Sequence, residues 1–364
     1  MSASEYQIIL YNKLGAQQFL IVDYYDLYYI NRRNSVGICQ FELDYSHPAV
    51  SSITDKCFVE IKRRNKDMNL DWYSDYYGMV RSIEKSKAQE STRVVVRAYS
   101  LLHLLEWRII AYTADTNEKS TFSSCPAERV MKDLVRLNAT ASATTTSGRI
   151  RSGCITGASI SIQSGCVAGS TISWSGAWEQ LLPNLQQLTT DGGGDFDLVK
   201  TASLTYDFRF YANQRGTDRS ATVTFSELYG NMSDVSYTKD HSQEATIAIV
   251  GGRGQQASRL TLVASGPDYS ASNDIETFVN ATGGSLQSYY QREGNRTVQE
   301  KRAKATLSFT PVQTDSCFYG RDYNWGDKVK AVFEDYTACM LVDAATVRVH
   351  KDGGDGIEIE IKEI

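Results

Sequence analysis

Between Leu204 and Gly254 the sequence keeps a two-residue rhythm that only a sheet can use. Tyr206, Phe208 and Phe210 alternate with Thr205, Asp207 and Arg209, the period of a strand with one face buried and one in water. A turn around Gly216, within Gln214 to Thr217, interrupts the rhythm, and Ala221, Val223 and Phe225 resume it. Gly230-Asn231 makes a second turn, after which Val235, Tyr237 and the run Ala245 to Val250 follow. A helix would scatter these apolar residues around its circumference, whereas a strand collects them on one side. The stretch therefore reads as β-segments joined by polar turns.

Length and composition agree. At 364 residues two or three domains are expected. Tyrosine outnumbers proline 22 to 5, the balance of a β-rich chain with many turns. The net charge of −5 argues against a protein that coats nucleic acid. No apolar run approaches the roughly 20 residues of a membrane helix, and the start MSASEYQIILYNKLG lacks the pattern of a signal peptide. Seven cysteines are scattered with no CxxC pair, so free thiols are expected rather than zinc or a disulfide framework. A Cys154–Cys166 bridge across a loop is the one pairing left open.

Taken in order, Tyr6 to Tyr11 and Phe19 to Ile30 read as a hairpin, and Ser35 to Leu43, Cys57 to Arg63, Trp72 to Ile83 and Thr92 to Ala98 as further strands. Tyr99 to Arg108 changes to helical spacing. Residues 1–112 are thus expected as a small antiparallel β-barrel closed by a short helix. Residues 113–200 are expected as an inserted, mostly helical segment. Pro126 opens a helix with Val130, Met131, Leu134 and Val135 on one face. A Ser/Thr-rich run, Ala139 to Ser173, follows as an exposed loop or hairpin region, and then a helix over Ala177 to Leu188 with a kink at Pro183. Residues 201–265 return to strands. In residues 266–364, Ile275, Phe278, Val279, Leu286, Tyr289 and Tyr290 suggest a helix broken at Gly283-Gly284, and the segments 305–312, 328–333, 339–349 and 357–364 make a second barrel. The fold class expected is a β-rich, multi-domain α+β protein with two small antiparallel barrels.

Sites of chemistry are few. Gly252 to Ala257 imitates a dinucleotide fingerprint, but Leu260, Leu262 and Ala264 alternate as a strand where a helix N-terminus is needed to hold a pyrophosphate. His47, His103, His241 and His350 lie far apart, and His103 on a short apolar helix reads as a satisfied core residue. Asp191, Asp195 and Asp197, or Asp352, Asp355 and Glu358, could bind calcium loosely, but neither group matches a calcium loop, and solvated turns explain them more simply. Arg32-Arg33 and Lys62-Arg63-Arg64 sit at strand ends, where such clusters are usually a solvated rim and less often a contact to an acidic neighbour. No cofactor, metal or catalytic set is assigned.

The order of several segments carries a resemblance. RVVVRAYSLLHLLEWRII is followed by a Cys-Pro-Ala helix with VMKDLVRLN, then Trp178 to Leu182, the GTDR hairpin, the VGGRG turn, Asp274 to Val279, Leu286-Gln287 and YGRDYNWGDKV. In that order and spacing the chain resembles the tail hub proteins of tailed bacteriophages. The Ser/Thr-rich run has no counterpart in the pattern.

The resemblance implies a structural virion protein. It would be a homotrimer at the tail tip or baseplate, assembled in the host cytoplasm, that joins a six-fold tail tube or distal tail protein to a three-fold tip spike or fibre. Two similar barrels per chain, taken three times, would match six positions above and three below. Further partners implied are the tape measure protein and DNA in transit, which a negative chain would repel from the wall. The turns expected at the assembly interface are Arg215, Gly216, Thr217, Asp218 and Arg219, then Gly230 and Asn231, then Gly252, Arg253 and Gly254. Competing readings are a tail-tip hydrolase acting on the cell surface, which needs a catalytic pair not found here, and a receptor-binding tail protein using exposed tyrosines.

Overall fold

The computed structural model describes residues 4–87, 92–111, 120–143, 150–151, 157–283, 287–350 and 354–363. The chain divides into two compact units, residues 1–234 with 309–362, and residues 235–308.

The first unit opens with β1 (Glu5–Tyr11), β2 (Gln17–Ile21), β3 (Asp26–Arg32), β4 (Ile38–Asp44), β5 (Phe58–Asn65), β6 (Leu70–Lys87) and β7 (Thr92–Ser100). Burial follows the alternation: Cys39, Phe41 and Leu43 of β4 and Val94, Val96 and Ala98 of β7 are closed off from water. A four-residue helix, α1 (His103–Glu106), ends this part, shorter than the helical spacing suggests because β7 continues to Ser100. Next come β8 (Ser120–Pro126), α2 (Ala127–Ala139), β9 (Ser159–Ile162), β10 (Thr171–Gly176), α3 (Leu181–Gly192), β11 (Asp195–Ala202), β12 (Thr205–Tyr211) and β13 (Thr224–Ser226).

The expected mostly helical insert is therefore mixed. Its helices bury Val130, Met131, Leu134 and Val135 of α2 and Leu181, Leu182, Leu185 and Leu188 of α3 in one cluster with Phe196 and Phe208. Pro183 does not kink α3. It lies in the first turn, where its missing N–H has no helical partner to lose. Part of the Ser/Thr-rich run is strand: β9 pairs in parallel with β12, Ile160 opposite Tyr206, and β10 pairs with β8.

The second unit contains most of β14 (Met232–Asp240), β15 (Ile247–Gly251), β16 (Thr261–Ser265), β17 (Glu276–Asn280), α4 (Gln287–Glu300) and most of β18 (Lys304–Pro311). Strand β15 lies between β16 and β17, and α4 packs Tyr290 and Val298 against Ala248, Val250 and Ala264. Gly294 permits this approach, since a Cβ there would stand 2.6 Å from Ala264 Cβ. The helix expected from Ile275 onward is corrected. Phe278 and Val279 lie on β17, where they pair in parallel with Ile249 and Val250, and the helix begins only at Gln287. Short apolar runs satisfy either period until a neighbouring strand offers its edge.

The chain then adds β19 (Lys328–Phe333), β20 (Tyr336–His350) and β21 (Asp355–Glu363) to the first unit. Here the two-barrel expectation is corrected. The N-terminal and C-terminal strands share one sheet of eleven strands, in the order β13-β19-β20-β3-β4-β7-β6-β5-β1-β2 with β21 on β20. Among the described residues β2 and β13 stand at its ends, and no strand closes it. The joint is β3 with β20, Leu27 opposite Val349 and Arg32 opposite Ala344. From Ala344 to Val347 the residues of β20 are buried without a break. Such a strand is interior to a sheet and needs a neighbour on each side.

Candidate assembly site

The GTDR turn is built around a carboxylate more than a hundred residues away. Gly216 donates its N–H to the Gly326 carbonyl at 2.9 Å, and Thr217 accepts from the Lys328 N–H at 3.1 Å. Asp327, almost wholly buried, accepts from the Thr217 N–H at 2.6 Å and from Arg219 Nε at 3.0 Å. It also accepts from the Asn324 N–H at 2.9 Å, which closes its own turn. A Cβ on Gly216 would overlap Asp327 Oδ1 and stand 2.6 Å from the Asp327 amide nitrogen, so the close approach requires glycine.

A second carboxylate holds the residue before the glycine. Asp195 is buried and accepts from the Arg215 N–H at 2.8 Å, from Asn34 Nδ2 at 2.8 Å and from Arg33 at 2.5 Å. Burial works against the charge on Arg33, and Asp195 and Asp343 more than offset it, so its pKa is raised. Arg215 binds Asp197 at 2.6 Å and lays its guanidinium over the Trp325 ring, 3.4 Å from the centroid. Asp195 and Asp197 are thus engaged by arginines and amides, and Asp191 by Gln187. In the other acidic group Asp355 accepts from Tyr6 and Glu358 lies 3.7 Å from Arg348, while Asp352 lies outside the described residues. Asp197, Lys200, Arg215 and Trp325 border an open polar cleft of about 370 Å³. Asp197 and Arg215 pair with each other in its wall, and Lys200 lies 3.6 Å from Glu60 beyond it.

Asp218 is the exposed charge of the motif. Its carboxyl is held below its ordinary range by the Ser220 hydroxyl and amide, and by Lys328 at 3.2 Å.

The other turns differ. Asn231 is buried, with its side chain accepting from the Ser226 N–H at 2.8 Å and donating to the Thr224 carbonyl at 2.9 Å. Gly230 has φ +65 and open space where a Cβ would point. Beside it Leu228 and Tyr229 are 93% and 65% exposed. In the second unit Gly252 packs against the Tyr290 ring and Gly254 has φ +103. Arg253 is exposed, and Arg259 donates to the Gly251 and Gly252 carbonyls. The strand β16 follows, so a strand stands where a dinucleotide site needs a helix. Only the first two turns lie in the same unit.

Arg33 meets acidic neighbours, and at Arg63 the rim reading is corrected. Arg63 is fully buried, its guanidinium 5.3 Å from the Phe318 ring centroid and 5.4 Å from that of Tyr319, donating to the Tyr319 carbonyl at 3.2 Å. Nearby, Asp75 accepts from the Tyr29 hydroxyl at 2.6 Å, and burial raises its pKa against the pull of Arg63. A surrounding shell of aromatic rings lets a guanidinium be buried, which its place in a basic triplet does not reveal. His103 is satisfied by Glu106 and Trp107. Six described cysteines are unpaired; Cys154 and with it the Cys154–Cys166 bridge lie outside the described residues.

Solved structures of tail proteins share this fold. The tail protein from Neisseria meningitidis MC58 aligns at TM-score 0.56 and 11% identity, covering 99% of this chain and 97% of that one. The 43 kDa tail protein of prophage MuSo2 from Shewanella oneidensis aligns at 0.57 and 9%, covering 98% and 97%. Prophage tail protein gp18 from Listeria monocytogenes EGD-e aligns at 0.59 and 11%, covering 98% and 94%. No curated protein matches the sequence. Within this class the chain belongs to the Siphovirus ReqiPepy6 Gp37-like protein family, a phage tail family whose profile matches residues 7–361.

Proposed function

We propose that this tail protein is the hub: a homotrimer at the tail tip or baseplate that joins the six-fold tail tube or distal tail protein to a three-fold spike or fibre. The reading rests most heavily on the pairing of β3 with β20, which gives each copy an N-terminal and a C-terminal β-portion side by side in one sheet. Three copies then offer six portions to a six-fold partner and three to a three-fold one. The role is structural, without catalysis. The tape measure protein is a further partner, and DNA passes through the open centre without being held, as a net charge of −5 favours. The interface is assigned to the exposed faces of the turns at Asp218, at Gly230 and at Arg253. No helix among the described residues is long and apolar enough to cross a membrane.

Negative-stain microscopy of the purified chain, paired with its mass in solution, tests the reading. Three-fold rings with an open centre are the expected result. A monomer that also stays out of assembled tails would overturn it, and a monomer that binds intact host cells would favour receptor binding instead.

A further inference from the structure

The three-stranded sheet of the second unit is covered on one face and bare on the other. Its register sets Ile249 of β15 opposite Val263 of β16 and Phe278 of β17. Neighbouring residues of a strand point to opposite faces, so this row lies on the side away from Ala248, Val250 and Ala264, which pack against α4. Val263 is 59% and Phe278 56% exposed. A single apolar residue in water is ordinary, but a row that crosses every strand of a sheet is not.

The pairing sharpens the contrast. Strands β15 and β17 are parallel neighbours, and parallel pairing is the kind found with helices on both faces. Helix α4 supplies the cover on one side, where Tyr290, Gly294 and Val298, four residues apart, follow one stripe of the helix. The other side has room for the same arrangement. From Val263 to Phe278 the row crosses two strand spacings, about 10 Å, which is the diameter of one helix with its side chains. The five residues of β15 give it a bed about 16 Å long, enough for three helical turns.

The two ends of the bare face differ in charge. At the Gly251 end the glycine leaves space that its neighbours fill. A Cβ there would stand 2.6 Å from both the Arg259 guanidinium carbon and Phe278 Cζ, so both groups lie over Gly251 on this face. The Gly251 and Gly252 carbonyls fix the guanidinium at 3.2 Å each. At the Ile247 end the residue opposite on β17 is Glu276, which is exposed. A helix carries partial positive charge at its N-terminus and partial negative charge at its C-terminus. Laid along β15 with its N-terminus over Glu276 and its C-terminus over Arg259, it matches both ends. Turned round, it would meet like charge at both. A strand or an irregular segment has no axial dipole to match.

We infer that the bare face of β16-β15-β17 seats an amphipathic helix from another protein of the tail, with its N-terminus toward Glu276 and its C-terminus toward Arg259. The helix would set apolar residues at i, i+3, i+4 and i+7 on the row of Val263, Ile249 and Phe278. This docking goes beyond the hub reading. It needs the chain to be a tail protein and does not depend on how many copies surround the centre.

The test puts a photo-crosslinking residue in place of Val263, and separately of Phe278 or Glu276, in the full chain within assembled tails. Mass spectrometry then maps what each position captures. The first two positions should capture one segment of another protein at residues three or four apart, and the position of Glu276 should capture the N-terminal part of that segment. Val263→Asp should lower the amount of that protein bound in tails at least about tenfold, with the urea midpoint of the variant chain unchanged. Capture of a second copy, of the chain's own residues or of a segment without helical spacing would overturn the docking. So would no capture from tails that contain the chain. Tails that assemble without the chain would overturn its place in the tail as well.

Discussion

The Gly216 turn and the Gly230 turn look alike in the sequence and do opposite things. Each pairs a glycine with small polar residues between two strands. Gly216 is pressed against Asp327, and nothing larger fits. Gly230 faces open space, and its neighbours Leu228 and Tyr229 lie in water. The first is a joint inside the molecule; the second is a surface feature held up from below by Asn231. Turn chemistry read from sequence gives the bend but not what the bend leans on.

That contrast can be broken in order of effect. Asp327→Ala should cost the most, about 3–4 kcal/mol, because it strands the Thr217 and Asn324 amides and the Arg219 guanidinium together. Urea unfolding at neutral pH reads this, and a loss under 1 kcal/mol would mean that Asp327 is not the joint described here. Gly216→Ala should follow at about 2–3 kcal/mol through its overlap with Asp327. Gly230→Ala meets no neighbour and bears only the strain of a positive φ, about 1 kcal/mol in the same assay. If the two glycines cost the same, the comparison fails.

The remaining changes separate folding from assembly. The double change Leu228→Ser with Tyr229→Ser should leave the unfolding midpoint within about 0.5 kcal/mol and lower ring or tail incorporation, because these side chains touch little within their own copy. Asp218→Ala should change stability least of all at neutral pH. Its lowered pKa means that any contribution its carboxylate makes is present above the unfolded value and lost as the pH falls through the folded one. A midpoint difference between native and variant that grows on acidification would contradict that sign. Incorporation equal to the native chain in both sets of variants would remove these turns from the interface.

Much of this was legible in the sequence, where one neighbour decides the structure. The alternation of Tyr206, Phe208 and Phe210 is strand β12, and Val130, Met131, Leu134 and Val135 mark the buried face of α2. What was not legible depends on residues far along the chain. Asp327 lies in a turn that reads as a lead-in to a strand, and only its pairing with Thr217 and Arg219 makes it a joint. Arg219, which the motif offers as an interface residue, is half committed to that joint, so Asp218 is the cleaner probe of assembly. Arg63 is hidden in a basic triplet although aromatic rings from the opposite end of the chain enclose it. Leu228 and Tyr229 do carry a signal in the sequence: two large apolar residues directly before a Gly-Asn turn have little chance to be buried. The single sheet is hidden for the same reason as the role of Asp327, since strand composition sets which residues face inward but not which strand lies alongside.

The central claim is that three copies of this chain form the link between six-fold and three-fold parts of a tail. Reconstruction of purified tails by electron microscopy, without imposed symmetry, counts those copies directly. The account predicts three chains around an open centre, each presenting its N-terminal and C-terminal β-portions to the ring above. Six copies in that ring, or copies found only on peripheral fibres, would contradict it.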